Sequence, residues 1–131
     1  MTMKHRDINN YVCPVCFRKP NECICPCYSM TLILIDEKLQ YAIQKLNDNC
    51  FYTTDCCEGH FIDKIPNTYI GFVYSLNDAP KGFILEDGNK VIRYIYQNHK
   101  SKKEFKEEQK EVIKSLNEWV DKKVKSRWGN S

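Results

Sequence analysis

The apolar positions change their period along the chain, and each change marks an element. Residues 30–35 form a short apolar run rich in β-branched side chains, the pattern of a buried strand. Leu39, Ala42, Ile43 and Leu46 then recur at helical spacing and make one apolar stripe. Asp36 in front of that stripe predicts an N-cap, and Glu37 suits the positive end of the helix dipole. Asn47-Asp48-Asn49 predicts the stop, because Asn tolerates the left-handed conformation found there. Residues 50–54 are aromatic and β-branched and predict the next strand. Strand, helix and strand over residues 30–54 make a βαβ unit, whose right-handed crossover requires the two strands to be parallel.

Residues 69–74 alternate aromatic and aliphatic positions and predict a third strand. Residues 82–85 and 90–96 flank Asp87-Gly88, a hairpin signal. Ser101-x-x-Glu104 is a capping box. Phe105, Gln109, Val112, Leu116, Trp119 or Val120, and Val124 follow it at a helical period. They predict a final helix of about 24 residues, with Trp119 in the core and Trp128 past the stripe. The expected fold class is α+β: a two-layer sandwich of a mixed sheet with two helices, comprising the βαβ unit, the hairpin and the long C-terminal helix.

A length of 131 residues and a hydrophobic fraction of 42% suit a single folded domain and exclude wholesale disorder. The longest aliphatic run, Leu32-Ile33-Leu34-Ile35, is far short of the roughly 20 residues of a membrane helix. Residues 1–10 are polar and carry no signal-peptide pattern, so a cytoplasmic protein with a mobile start is expected. Charge is uneven: residues 30–99 hold six basic and nine acidic side chains, and residues 100–131 hold ten and six. In the last segment the signs alternate, as in Lys103-Glu104 and Lys106-Glu107, which is the mark of a solvated helix face.

Eight cysteines in such a chain demand an explanation. Cys13-x-x-Cys16 is followed by Cys23-x-Cys25-x-Cys27 in a segment whose aliphatic content is Val12, Val15 and Ile24. A hydrophobic core cannot hold that segment, whereas a tetrahedral zinc bound by four thiolates can. The expected ligands are Cys13, Cys16, Cys23 and Cys25, with Cys27 as the alternative for one of the last two. The organisation that follows is a zinc knuckle or ribbon over residues 11–29 and an α+β domain over 30–128. A closed four-thiolate site of this kind is structural and has no open coordination position.

The second chemical cluster is Thr53-Thr54-Asp55-Cys56-Cys57-Glu58-Gly59-His60, directly after the predicted second strand. A loop at the carboxyl end of a parallel strand is where open α/β sheets place ligands. Cys56 or Cys57 can act as a nucleophile with His60 as its proton partner. Cys57 and His60, with Cys50 or Cys27, can hold a second metal. Backbone amides around Gly59, with the Thr53 and Thr54 hydroxyls, Cys56 and Glu58, can form a nest for an anionic or nucleotide ligand. The bland alternative is a buried thiol and a hydrogen-bonded structural histidine. His5 and His99 have no partner nearby in sequence and are expected to be solvated.

Cys13-Pro14-Val15-Cys16 through Cys25, followed by strand, helix and Cys56-Cys57-Glu58-Gly59-His60, resembles a group of small uncharacterised zinc-binding proteins of low-GC Gram-positive bacteria and their phages. The run from Thr54 to His60 also has a remote likeness to the wybutosine-synthesis methyltransferase family, which modifies a tRNA base. That family carries a Ser-Ser-Cys-Ser-Gly-Arg loop after a strand; Cys56 or Cys57 and Gly59 match it, and His60 stands where it has Arg. The leading expectation is a zinc-stabilised binding module whose ligand, a nucleotide or RNA, sits at residues 53–60, in the setting of a phage or mobile-element accessory protein. The competing expectation is a Cys/His enzyme, such as an RNA-modifying one, that uses Cys56 or Cys57 with His60. No membrane partner is expected.

Overall fold

The computed structural model of the chain describes residues 11–13, 18, 33–34, 37–97, 99 and 101–128. Strands β1 (Tyr11–Val12) and β2 (Ile33–Leu34) pair antiparallel, with Tyr11 opposite Leu34. A 3-10 turn, Glu37–Leu39, leads into helix α1 (Gln40–Asp48). Four further strands follow: β3 (Thr53–Cys57), β4 (Asn67–Phe72), β5 (Ile84–Glu86) and β6 (Val91–Ile95). They form one antiparallel sheet in the order β3-β4-β6-β5, and helix α2 (Lys102–Trp128) closes the chain. The fold class is α+β, with two helices and one four-stranded sheet.

Among the described residues the expected parallel βαβ unit is not formed, and the four-stranded sheet is antiparallel rather than mixed. β2 pairs with β1, away from the sheet that contains β3. Asn47 shows why no parallel neighbour joins β3 at its start. The Thr53 N–H, on the edge turned away from β4, donates to Asn47 Oδ1 at 3.0 Å, and Asn47 Nδ2 donates to Thr53 Oγ1 at 2.9 Å. The side-chain amide thus takes the bond a strand would need.

Strand β3 also starts three residues later than the 50–54 pattern predicts. The left-handed residue that ends α1 is Cys50, with φ +68°, and not one of the asparagines. Cys50 N–H bonds the Asn47 carbonyl at 3.2 Å and Phe51 N–H bonds the Leu46 carbonyl at 2.8 Å. This pair is a Schellman motif with cysteine where glycine is usual. The chain becomes extended only after it, so Cys56 and Cys57 belong to a strand rather than to a loop.

Both helices cover one face of the sheet. Leu39, Ala42, Ile43 and Leu46 of the first segment are buried, as are Phe105, Gln109, Val112, Leu116, Trp119 and Val120 of α2. They meet Ile70, Phe72, Ile92 and Tyr96 from the strands. The helices run side by side, joined where Tyr41 and Lys45 both reach Asp121, at 2.5 and 2.7 Å. Ser101 caps α2 by accepting the Glu104 N–H at 3.2 Å. None of the described helices is long and apolar enough to cross a membrane.

Candidate functional site

Residues 53–60 comprise strand β3 and the turn that follows it, and their side chains divide between the two sides of the sheet. Thr53 faces the end of α1 through its bonds to Asn47. Cys56, opposite Ile70, packs against the core. Cys57 is opposite Tyr69, on the outer side. Between Thr53 and Cys56 β3 carries a bulge: three steps along β3 are matched by two along β4, from Phe72 to Ile70. The bulge turns Thr54 and Asp55 together over the outer face, where both are exposed. A Cβ on Gly71 would lie 2.5 Å from Thr54 Oγ1 and 2.5 Å from Asp55 Oδ1, so glycine lets these two side chains lie flat on the sheet.

The turn at 58–60 is held from inside. Thr68 Oγ1 donates to the Glu58 carbonyl at 2.6 Å, and the Tyr96 hydroxyl is 2.7 Å from Thr68 Oγ1. Since Thr68 has one proton and gives it to Glu58, Tyr96 is the donor in that second bond. Gln109 Nε2 donates to the carbonyls of Glu58 and Gly59 at 2.8 and 2.9 Å. Gly59 is buried with φ +88°, and a Cβ there would meet the Asn67 carbonyl oxygen at 2.8 Å. Its close approach is therefore to the chain's own strand β4. The Glu58 carboxylate accepts the Lys38 N–H at 3.1 Å at the entry to α1. Gly59 N–H donates to Cys57 Sγ at 3.4 Å. His60 is exposed, its N–H bonded to Asp63 Oδ2 at 3.1 Å.

The expected placement at the carboxyl end of a parallel strand does not apply, because β3 is an antiparallel edge strand. Of the nest residues Thr53, Thr54, Cys56, Glu58 and Gly59, Thr54 is the one that lines a cavity on the outer face. That cavity, about 510 Å³, is lined by Thr54 and Asp55 together with Tyr69, Asp87, Lys90 and Arg93. The Arg93 guanidinium carbon is 4.9 Å from the centre of the Tyr69 ring. Arg93 Nε donates to Glu86 Oε1 at 2.6 Å and Nη1 to Asn67 Oδ1 at 2.5 Å, so the plane of the group is fixed over the ring. Burial, and after it the neighbouring Asp55 carboxylate, push the Tyr69 phenol above its ordinary range.

Asp55, Tyr69, Lys90 and Arg93 were not among the expected ligand residues. The signal that finds two of them is the strand period. Tyr69 and Gly71 alternate with buried Ile70 and Phe72, and Arg93 alternates with Ile92, which puts Tyr69 and Arg93 on one outer surface. By the same period Phe72, Tyr94 and Tyr96 face the helices; they are packing residues rather than a stacking surface. His99, expected to be solvated, is partly buried and pairs with Glu108 at 2.5 Å. Glu108 also accepts a hydrogen bond from the Tyr94 hydroxyl.

Of the expected zinc ligands Cys13 is buried, and its N–H donates to the Arg18 carbonyl at 2.9 Å. Cys16, Cys23, Cys25 and Cys27 lie outside the described residues, as do residues 1–10 and most of the 11–29 segment. Among the described residues no group of three or more His, Cys, Asp or Glu side chains is placed to hold a metal. Arg18 forms an ion pair with Asp48, the last residue of α1, at 3.0 Å. Comparisons with protein-family models, with curated proteins and with solved structures returned no match.

Proposed function

We propose that the chain is a zinc-stabilised α+β module that binds a nucleotide or single-stranded RNA, taking one base into the outer-face cavity beside Thr54 and Asp55. The observation that carries this reading is the Tyr69–Arg93 pair. The pair lines a cavity together with the hydrogen-bonding side chains of Thr54 and Asp55. Bases stack on aromatic rings and on guanidinium planes, and a stacked base is commonly worth about 1–3 kcal/mol. The cavity lining is balanced, with Asp55 and Asp87 against Lys90 and Arg93. Binding through the base rather than through a polyphosphate fits that balance.

The test is titration of a fluorescent single-stranded RNA, with salt varied. Tyr69→Ala and Arg93→Ala should each weaken binding at least tenfold. The plot of log affinity against log salt should have a slope near −1 or shallower, since about 0.7 counterions are released per phosphate contacted on a single strand. A slope of many units, insensitive to Tyr69, would point to a polyanion surface elsewhere and defeat this reading.

Zinc in this proposal is held by Cys13, Cys16, Cys23 and Cys25, with Cys27 as the alternative for one of the last two, on the strength of their spacing. Elemental analysis should return about one zinc per chain by the four-ligand rule. A second reading, a Cys57–His60 enzyme, is favoured by the bond from Gly59 N–H to Cys57 Sγ, which stabilises a thiolate. Rapid alkylation of the native chain near pH 7, abolished by Cys57→Ser, would support it.

A further inference from the structure

We propose, resting on the base-binding reading above, that the base selected by this cavity is guanine and that Asp55 selects it. The inference turns on what Asp55 offers. The bulge in β3 sets its carboxylate over the outer face, where Oδ1 accepts a hydrogen bond from Thr54 Oγ1 at 3.1 Å. Oδ2 has no partner among the described residues. Asp55 is exposed, so its carboxylate keeps ordinary access to a ligand. An ionised carboxylate only accepts hydrogen bonds, and it takes two parallel N–H donors when they stand side by side.

Among the common bases, only guanine shows two adjacent donors on its Watson–Crick edge, N1–H and the N2 amino group. Adenine and cytosine each set one amino group beside a ring-nitrogen acceptor, which faces a carboxylate with repulsion. Uracil has one N–H between two carbonyls. Single-stranded ligands are read on these edges because the bases are unpaired.

The rest of the cavity fits a purine. The guanidinium of Arg93, held by Glu86 and Asn67 and 4.9 Å from the centre of the Tyr69 ring, lines the same cavity as that ring, which places a planar cation and an aromatic beside an incoming base. Lys90 and Arg93 line the cavity beside Asp55 and Asp87, and Arg93 is already paired with Glu86, so the site has no cationic excess that would attract a polyphosphate. The Asp55 carboxylate and the Tyr69 ring line the same cavity, so one ligand can meet both.

Isothermal titration of the full chain with GMP, IMP, AMP and XMP tests the proposal. GMP should bind about tenfold or more tighter than AMP, the scale on which a bidentate pair discriminates between bases. IMP, which lacks the N2 amino group, should fall between them. Asp55→Asn is isosteric and lies on the surface, so it should fold normally. Its carboxamide presents one acceptor and one donor, which match N1–H and the C2 carbonyl of xanthine. The variant should therefore prefer XMP over GMP. Binding of all four nucleotides with equal affinity, or an unchanged preference in Asp55→Asn, overturns the guanine assignment while Tyr69→Ala still reports base binding. Failure of every nucleotide and of single-stranded RNA to bind overturns the assignment together with the reading it rests on.

Discussion

Gln109, in the first third of α2, donates to the carbonyl oxygen of Gly59 at 2.9 Å across fifty residues of sequence. The same amide reaches the Glu58 carbonyl, so a single side chain, 2% exposed, satisfies two acceptors of a buried turn. It serves as an internal brace between the longest helix and the strand that carries the candidate site. The helical stripe already marks Gln109 as inward-facing, and its polarity is explained by these two carbonyls.

Truncating that brace should be costly. Gln109→Ala leaves the Gly59 carbonyl buried without this donor, a loss of about 1–3 kcal/mol, while the Glu58 carbonyl keeps the Thr68 hydroxyl. Urea unfolding should show a lower midpoint with an unchanged slope. A midpoint equal to that of the unmodified chain would mean that water replaces the amide.

The turns at Gly59 and Gly88 should respond very differently to alanine. Gly59→Ala combines φ +88° with a Cβ 2.8 Å from the Asn67 carbonyl oxygen. Gly88, at φ +69°, has nothing within 4 Å of the same atom. Gly88→Ala should cost about 1–2 kcal/mol from its conformation alone, and Gly59→Ala distinctly more. Thermal unfolding of the pair decides it, and equal shifts would contradict the packing described for the 58–60 turn.

Cys50 is the opposite case, a position where glycine should do better than the natural residue. It occupies the left-handed site of the Schellman motif with φ +68°. Cys50→Gly should leave stability equal or raise it by up to about 1 kcal/mol, whereas a β-branched Cys50→Val should lower it. The check is the order of melting temperatures, glycine at or above cysteine and valine lowest.

Alkaline pH should weaken the fold through Tyr94. Burial, and then the hydrogen bond it donates to Glu108, push its phenol from 10.0 up to about 12. In the unfolded chain the phenol ionises near 10, while in the folded chain it stays protonated until about 12. Unfolding therefore releases a proton in that window, and stability falls as pH rises from 10 to 12, then stops falling on this account. Tyr69 and Tyr96, also raised by burial, act in the same direction. Tyr94→Phe should thus reduce the slope of stability against pH in that window without removing it.

The two helices were legible because their stripes are local. Leu39 to Leu46 and Phe105 to Val124 repeat at one period, and Ser101 carries its own cap. The hairpin was legible at Asp87-Gly88, where φ is positive at both residues and again at Asn89. Strand direction was not, since a run such as residues 50–54 says that a strand exists but not which neighbour it takes. Cys50 hid the true end of α1, because nothing in a cysteine announces a left-handed residue. The bulge was hidden for a related reason: Thr54 and Asp55 share a side only when β4 is counted against β3. Tyr69 and Arg93 were within reach of the period-two pattern, whereas their pairing depended on the register of β4 with β6.

The bulge in β3 also bears on how the molecule behaves in a crowd. An antiparallel sheet has two open rims, and each is a template on which another chain can grow a strand. At one rim the ladder is interrupted at Thr54 and Asp55, a carboxylate stands in the gap, and the Asn47 amide already holds the Thr53 N–H. At the other rim β5 is only three residues long. Neither offers the long, flat, uncharged border from which fibrils extend. The irregularity that turns Asp55 toward a ligand thereby also shields the chain from recruiting copies of itself.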